Sequence, residues 1–194
     1  MNSYTETPTA NPLQIMLKYA LAWVLIDVVL LLLFYYIFPS IVGTMKESIV
    51  KIIISLGLAI YFTLQIRKEI GGYWTFGEAF KTVFLLFFIP AIILYGFRIV
   101  FAKIDPQYEN LITETTLNSS TAMMENFITD QDQLDKAIEE MEKGVYVQFH
   151  PGFVDVLKFL AQVVVIYLIA AAIWALIFKK EKPIFIEEED STAY

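Results

Sequence analysis

Four long apolar runs alternate with short polar ones along the chain, and one longer polar stretch precedes the last run. The runs cover about 12–38, 48–66, 76–104 and 153–178. Each is near or above the roughly 20 residues that an α-helix needs to cross a bilayer. Hydrocarbon offers no water to backbone N–H and C=O groups, so runs of this length are predicted to be helices. The fourth gives the clearest signal, with no charged residue from Phe159 to Phe178. The third is longer than a bilayer requires, which implies tilt, a kink at Pro90, or an end reaching into the headgroups. Pro39 ends the first run, and Tyr35 and Tyr36 just before it suit an interfacial aromatic belt. Lys51 and Arg67 bracket the uncharged interior of the second. No basic residue precedes the first run and no small-residue cleavage site follows it, so it reads as a retained membrane helix and not a signal peptide.

The polar stretch 105–152 has helical patterning of its own. Met123, Met124, Phe127 and Ile128 share one stripe; Leu134, Ile138 and Met141 share another, before Gly144. One or two amphipathic helices outside the membrane core are predicted there. Asp130, Asp132 and Asp135 would begin the second, which would end near Lys143, acidic side chains being favourable at a helix N-terminus. The expected architecture is all-α: a single membrane domain over 1–194, a bundle of four transmembrane helices, with an extramembrane helical segment between the third and fourth spans and a polar tail at 179–194.

Composition agrees with this picture. Apolar residues make up 57% of the chain and charged residues 18%, against about 45–50% and about 25% in soluble domains. The net charge of −7 comes mainly from Asp105–Glu142 and Glu187–Asp190. The basic residues are dispersed, which argues against nucleic acid as a partner. With no cysteine, disulfides and thiolate metal sites are excluded; a single histidine, His150, removes most transition-metal and Ser-His-Asp schemes, and no cofactor or metal is expected. Arg67, Lys68 and Lys81 flank the second polar loop, while Lys179, Lys180 and Lys182 follow the fourth span. Lys46, Lys51, Lys103, Lys143 and Lys158 fall on the opposite side. The positive-inside bias therefore assigns both termini to the cytoplasm and the acidic 105–152 segment to the far side.

Asp27 is the most informative polar residue. It lies near the middle of the first span, on a helical stripe with Tyr19 and Trp23. A carboxylate at that depth costs roughly 2.5–3.5 kcal/mol on insertion scales, so it should be paired, hydrated or protonated. Arg98 on the third span is the candidate partner; Lys158 and Gln162 on the fourth are weaker ones. Such residues serve either an ion or proton pathway through the bundle, or a structural polar contact between helices or snorkelling of Arg98 and Lys158 to the outer interface, and the structural readings are the plainer ones. On the second span Ser55, Ala59 and Thr63 form a small-residue stripe suited to close packing, as do Ala170, Ala171, Ala172 and Ala175 on the fourth.

The densest motif is the hairpin between the second and third spans. Gly71 and Gly72 suit a tight turn after a helix, and Thr75 and Glu78 have capping-box spacing. Tyr73, Trp74, Arg67, Lys68 and Lys81 suit a membrane interface. A phosphate-binding reading of this Gly-rich turn lacks the P-loop ending and meets repulsion from Glu78. The pattern Gly71-Gly72-Tyr73-Trp74-Thr75-Phe76-Gly77-Glu78-Ala79-Phe80-Lys81, with the four spans, Asp105-Pro106 and the long polar insertion, resembles the DUF4199 family of bacterial membrane proteins, best represented in Bacteroidetes. The resemblance covers nearly the whole chain. It implies a compact four-span protein of the inner membrane and carries over no catalytic residue. The expected role is non-enzymatic, structural or accessory, with the bilayer as partner and a further protein or a second copy engaging 105–152. The alternative is a small transporter or channel subunit using Asp27 and Arg98.

Overall fold

The computed structural model describes residues 11–182, six helices among them. Residues 1–10 and the acidic run Glu187–Asp190 lie outside the described residues. Four helices are long and apolar enough to cross a membrane: α1 (Pro12–Ile37), α2 (Met45–Glu69), α3 (Phe76–Ile104) and α6 (Phe153–Phe178). Between the third and fourth spans stand α4 (Pro106–Met124) and α5 (Gln131–Phe149), as the pattern of the polar stretch predicts. α3 runs unbroken through Pro90, which is buried. Lacking an N–H, Pro90 leaves the Leu86 carbonyl without its usual helical donor.

The spans form an arc in the order α2, α1, α3, α6. α3 packs extensively against α6 on one side and α1 on the other, and α2 packs along α1. The ends of the arc, α2 and α6, meet in one half of the bundle. There Ile15, Met16, Ala20, Trp23, Phe62, Ile66, Trp74, Val83, Leu86, Ala171 and Ala175 form one buried cluster. Ala171 and Ala175 are the small residues that let α6 approach this core closely. Thr63 accepts a hydrogen bond from the Trp174 indole at 3.0 Å, tying α2 to α6 across the seam.

The hairpin 70–75 closes that end. Gly71 and Gly72 have φ of 108° and 84°. They end α2 in a Schellman turn, in which the Gly72 N–H donates to the Arg67 carbonyl at 2.8 Å and the Gly71 N–H to that of Lys68 at 3.3 Å. Trp74 does not lie in an aromatic belt. It is 2% exposed, wedged under α6, with its N–H donating to the Lys180 carbonyl at 2.9 Å and the Lys180 N–H returning to its own carbonyl at 3.1 Å. Its indole and the Arg67 guanidinium both donate to the Phe178 carbonyl, at 2.8 and 3.1 Å. The carbonyls of a helix's last turn lack intrahelical donors and carry the negative end of its dipole. Arg67 is thus drawn to α6 and not to headgroups. Lys18 and Tyr19 on α1 both donate to Glu69 at the same end. The start of α1, the 70–75 turn and Lys180 therefore lie together, as four antiparallel spans require.

The opposite half is built differently. Leu31, Tyr35, Phe101, Ala102, Tyr108, Val145 and Phe149 make a second buried cluster from α1, α3, α4 and α5. No α2 residue belongs to it. Tyr35 is also not an interfacial belt residue: it faces inward, its hydroxyl donating to Asp105 at 2.8 Å, while Asp105 caps α4 by accepting from the Gln107 N–H at 3.1 Å. Tyr36 is exposed. Asp130 caps α5 by accepting from the Gln133 N–H at 3.1 Å. α5 does not end near Lys143 but continues through Gly144 to Phe149. A mid-helix glycine costs about 1 kcal/mol, and burial of Val145, the next residue, and of Phe149, just over a turn later, outweighs it. At its end, His150 is hydrogen-bonded to Glu109 of α4 at 2.8 Å. Of the two insertion stripes, Leu134 is buried and Met141 packs on the second cluster, whereas Met123 and Phe127 are exposed, Phe127 at 80%.

α4 rests on the turn between α1 and α2. That turn passes through a 3-10 helix at Pro39–Ile41 and then Gly43, whose φ is 74°. A methyl group on Gly43 would collide with the Thr115 hydroxyl and stand 2.9 Å from that of Thr116. Gly43→Ala is expected to lower stability by roughly 1–3 kcal/mol, the cost of a left-handed conformation for a residue with a Cβ. A depressed melting temperature in detergent would reveal it, and an unchanged one would contradict the packing of α4 on this turn.

Candidate functional site

Because α2 joins the first cluster but not the second, a cleft parts it from α6 in the half nearer the insertion. The deeper compartment, of about 580 Å³, is lined by Trp23 and Asp27 of α1, by Lys51, Ile52, Ser55, Leu56 and Ala59 of α2, and by residues of α3 and α6 that include Phe87, Pro90, Tyr167 and Trp174. An outer compartment of about 430 Å³ lies between Glu47, Ser48 and Lys51 of α2, Tyr95 and Arg98 of α3, and Phe159 of α6. It is roofed by Tyr108, Ile112 and Thr116 of α4 and by Gln148 and Phe149 of α5. Lys51 lines both compartments. Ile52 and Leu56 on the rim are exposed, so the cleft opens sideways, toward the position of acyl chains.

The reason α2 stands apart lies in its sequence. Its first two turns carry Lys46, Glu47 and Lys51, which cannot join an apolar core without partners. Glu47 is 7% exposed; it forms an ion pair with Lys51, four residues on, and accepts the Gly43 N–H at 2.7 Å. Lys51 also lies 5.8 Å from the Phe34 ring centroid, within cation–π range. On the other wall Tyr95 stacks on Phe159 at 3.8 Å between centroids, holding α6 to α3 and away from α2. Burial pushes the Tyr108 phenol above its ordinary range, so it is a neutral hydroxyl in the roof at any physiological pH.

Asp27 and Arg98 both line this cleft but in different compartments, and among the described residues no ion pair joins them. At 1.5 Å per residue, Arg98 lies about 9 Å inside the end of α3, Lys51 about 9 Å inside the start of α2, and Asp27 about 15 Å inside the end of α1. Lys51 stands between Asp27 and Arg98, because it lines both compartments. Lys51 is thus the cleft residue that sequence reasoning missed. Read as a bracket at the head of the second span, it lies within a helix that begins six residues earlier, at Met45, and it connects the two candidate residues. The signal was available in the i,i+4 spacing of Glu47 and Lys51. Lys158 and Gln162 are exposed and line neither compartment. Ser55 and Ala59 of the small-residue stripe face the cleft, and Thr63 below them closes it.

The hairpin residues fall at the other end of the bundle. Thr75 and Glu78 form the capping box: the Glu78 carboxylate accepts the Thr75 N–H at 2.8 Å and its hydroxyl at 3.0 Å, and the Thr75 hydroxyl accepts the Glu78 N–H at 3.4 Å. Glu78 therefore occupies donors that an anion at this helix start would use. Gly77 and Lys81 are exposed on the first turns of α3.

The family model described as a protein of unknown function, DUF4199, matches residues 15–180. The chain belongs to the DUF4199 family. No curated protein and no solved structure matches it. The DUF4199 match takes in all four spans, the α4–α5 insertion and Lys180, the backbone partner of Trp74. Both compartments of the cleft lie within it.

The chain has no cysteine, so single-cysteine variants report on the cleft without background. In nanodiscs, Ser55→Cys is expected to react with a bilayer-soluble maleimide, and Thr63→Cys, at a position with no exposed surface, to resist it. Equal labelling of the two, read by mass spectrometry, would contradict the closure of the seam at Thr63.

Proposed function

We propose that this DUF4199 chain is a non-enzymatic membrane protein with an accessory or structural role, which holds a component of the bilayer in the seam between α2 and α6 and does not conduct. The blind form of the cleft carries this reading. Its outer part has charges and hydroxyls, but inward of Asp27 the wall becomes Trp23, Phe87 and Trp174, with ring centroids 5.8–5.9 Å apart. Beyond them lies the buried layer of Ile66, Trp74 and Val83. An ion path would have to continue through both. Concave, mostly apolar sites with a few converging polar groups suit ligand binding. An enzyme has less support: the hairpin, which came nearest to an anion site in the sequence, uses its own carboxylate at the helix start. Engagement of another protein or a second copy through 105–152 belongs to the same reading and is supported by the exposed Met123 and Phe127.

A small transporter or channel subunit is the second reading. It is favoured by the depth of Asp27 and by Lys51 and Arg98 lining the same cleft, since intramembrane ionisable groups mark ion pathways. It would require the aromatic layer to part or several copies to assemble. For orientation, Arg67, Lys68, Lys81 and Lys180 at the terminal end support a bacterial inner-membrane protein with cytoplasmic termini.

In liposomes, wild type and Asp27→Asn are both expected to show no proton or monovalent-cation flux above protein-free vesicles; wild-type flux that Asp27→Asn abolishes would overturn the non-conducting reading. Reporters fused after Tyr194 and inserted in the 70–75 turn are expected on the cytoplasmic face, and one inserted at Phe127 on the other. The reverse pattern would refute the orientation.

A further inference from the structure

Among the described residues, Arg98 is the one cation of the cleft that no ion pair neutralises. Lys51 is paired with Glu47. Asp27 lies about 6 Å deeper than Arg98 at 1.5 Å rise per residue, and no ion pair joins them among the described residues. Among the described residues, the Arg98 guanidinium has neither a hydrogen-bond acceptor nor a carboxylate within ion-pair distance. Yet it stands about 9 Å inside the end of its helix, in a compartment where the Ser48, Tyr108 and Thr116 hydroxyls also gather. Its side chain is exposed at the mouth of this compartment, where an intramembrane arginine is met by an anion or by water. Below it the lining is mostly apolar, with Ile52, Leu56, Phe87, Ala91 and Leu94 beside the polar Asp27, Lys51 and Ser55, and the rim opens sideways toward lipid.

We propose that this seam binds a glycerophospholipid of net negative charge, with its phosphate on Arg98 and the first part of its acyl chains in the deeper compartment. The proposal rests on the blind-cleft reading and specifies what occupies it. A planar guanidinium grips phosphate oxygens through two parallel N–H donors, stronger than neutral hydrogen bonds. In the outer compartment Glu47, Lys51 and Arg98 sum to one positive charge; a headgroup with its own ammonium leaves that charge in place, whereas one without it balances Arg98. Free phosphate satisfies the guanidinium but leaves the apolar compartment of about 580 Å³ unfilled, so a molecule with a hydrocarbon body is the better match. The roof of α4 and α5 blocks entry from water on that side, and the lipid enters between α2 and α6 from the leaflet beside the insertion.

The full chain, reconstituted in mixed nanodiscs of phosphatidylglycerol and phosphatidylcholine, is released into mild detergent and its retained lipid measured by native mass spectrometry. Phosphatidylglycerol is expected to be retained over phosphatidylcholine by at least about tenfold, a difference of about 1.4 kcal/mol. Arg98→Gln is expected to abolish that preference and Arg98→Lys to restore part of it. Lys81→Gln, which removes an exposed cation at the opposite end, should leave it unchanged, and millimolar inorganic phosphate should not compete. Melting temperatures in a zwitterionic detergent identify any variant that fails to fold; Arg98→Lys then carries the comparison. Equal retention of both lipids, loss of preference in Lys81→Gln as large as in Arg98→Gln, or displacement by inorganic phosphate would each overturn the headgroup assignment while leaving an occupied cleft. No retained lipid of either kind, together with no labelling of Ser55→Cys, would remove the blind-cleft reading as well.

Discussion

A formal charge has no stable place in hydrocarbon without a partner or water, and the asymmetry of this bundle follows from that constraint. In the terminal half the buried cluster contains no charged residue, and all four spans converge on it. In the other half Asp27, Glu47, Lys51 and Arg98 come from three different spans. Packing them into one dry core would bury two carboxylates and two cations of which only Glu47 and Lys51 are paired, at a cost of several kcal/mol for each unpaired ion. The arc of helices opens there instead. Glu47 and Lys51 neutralise each other, while Asp27 and Arg98 face a common space. The cleft is therefore a consequence of the charges as much as a container for them.

Closure of the terminal end makes this opening tolerable. A seam unzipped along its full length would leave α2 held only by α1. Trp74 prevents this by filling the space under α6, and its indole and Arg67 satisfy the carbonyl of Phe178, where α6 runs out of internal donors. The Thr63–Trp174 hydrogen bond adds a tie one layer inward. The residues of the Gly-Gly-aromatic motif are thus a clasp: the glycines turn the chain, Thr75 and Glu78 restart a helix, and Trp74 between them reaches the last span. The insertion plays the matching part at the other end. It does not close the seam, but Tyr108, Val145 and Phe149 cover the α1–α3 side of the core, and its remaining faces roof the outer compartment.

The helices themselves were legible in the order of residues. A run long enough to span hydrocarbon can be little else, and α3 and α6 begin and end where the pattern of apolar residues places them. The capping box at Thr75 was equally local, because donor and acceptor lie three residues apart. α2 was less legible: its start extends past the apolar run because Glu47 and Lys51 are tolerated once paired. Gly144 read as the end of a helix because propensity is local, whereas the burial of Val145 and Phe149 that outweighs it depends on Tyr108, far away in the chain.

What the sequence determined by itself was the number of spans, their antiparallel course, the helical insertion and the family, since all of these arise from hydropathy and short-range spacing. The tertiary structure decided which neighbours each span has, that α2 and α6 stay apart, and that Lys51 lies between Asp27 and Arg98. It also turned Tyr35 and Trp74 from interface residues into buried contacts. The physical reason is that lateral packing depends on side chains brought together from distant segments. Hydropathy ranks how apolar a helix is, but it carries no information about the direction its polar positions face.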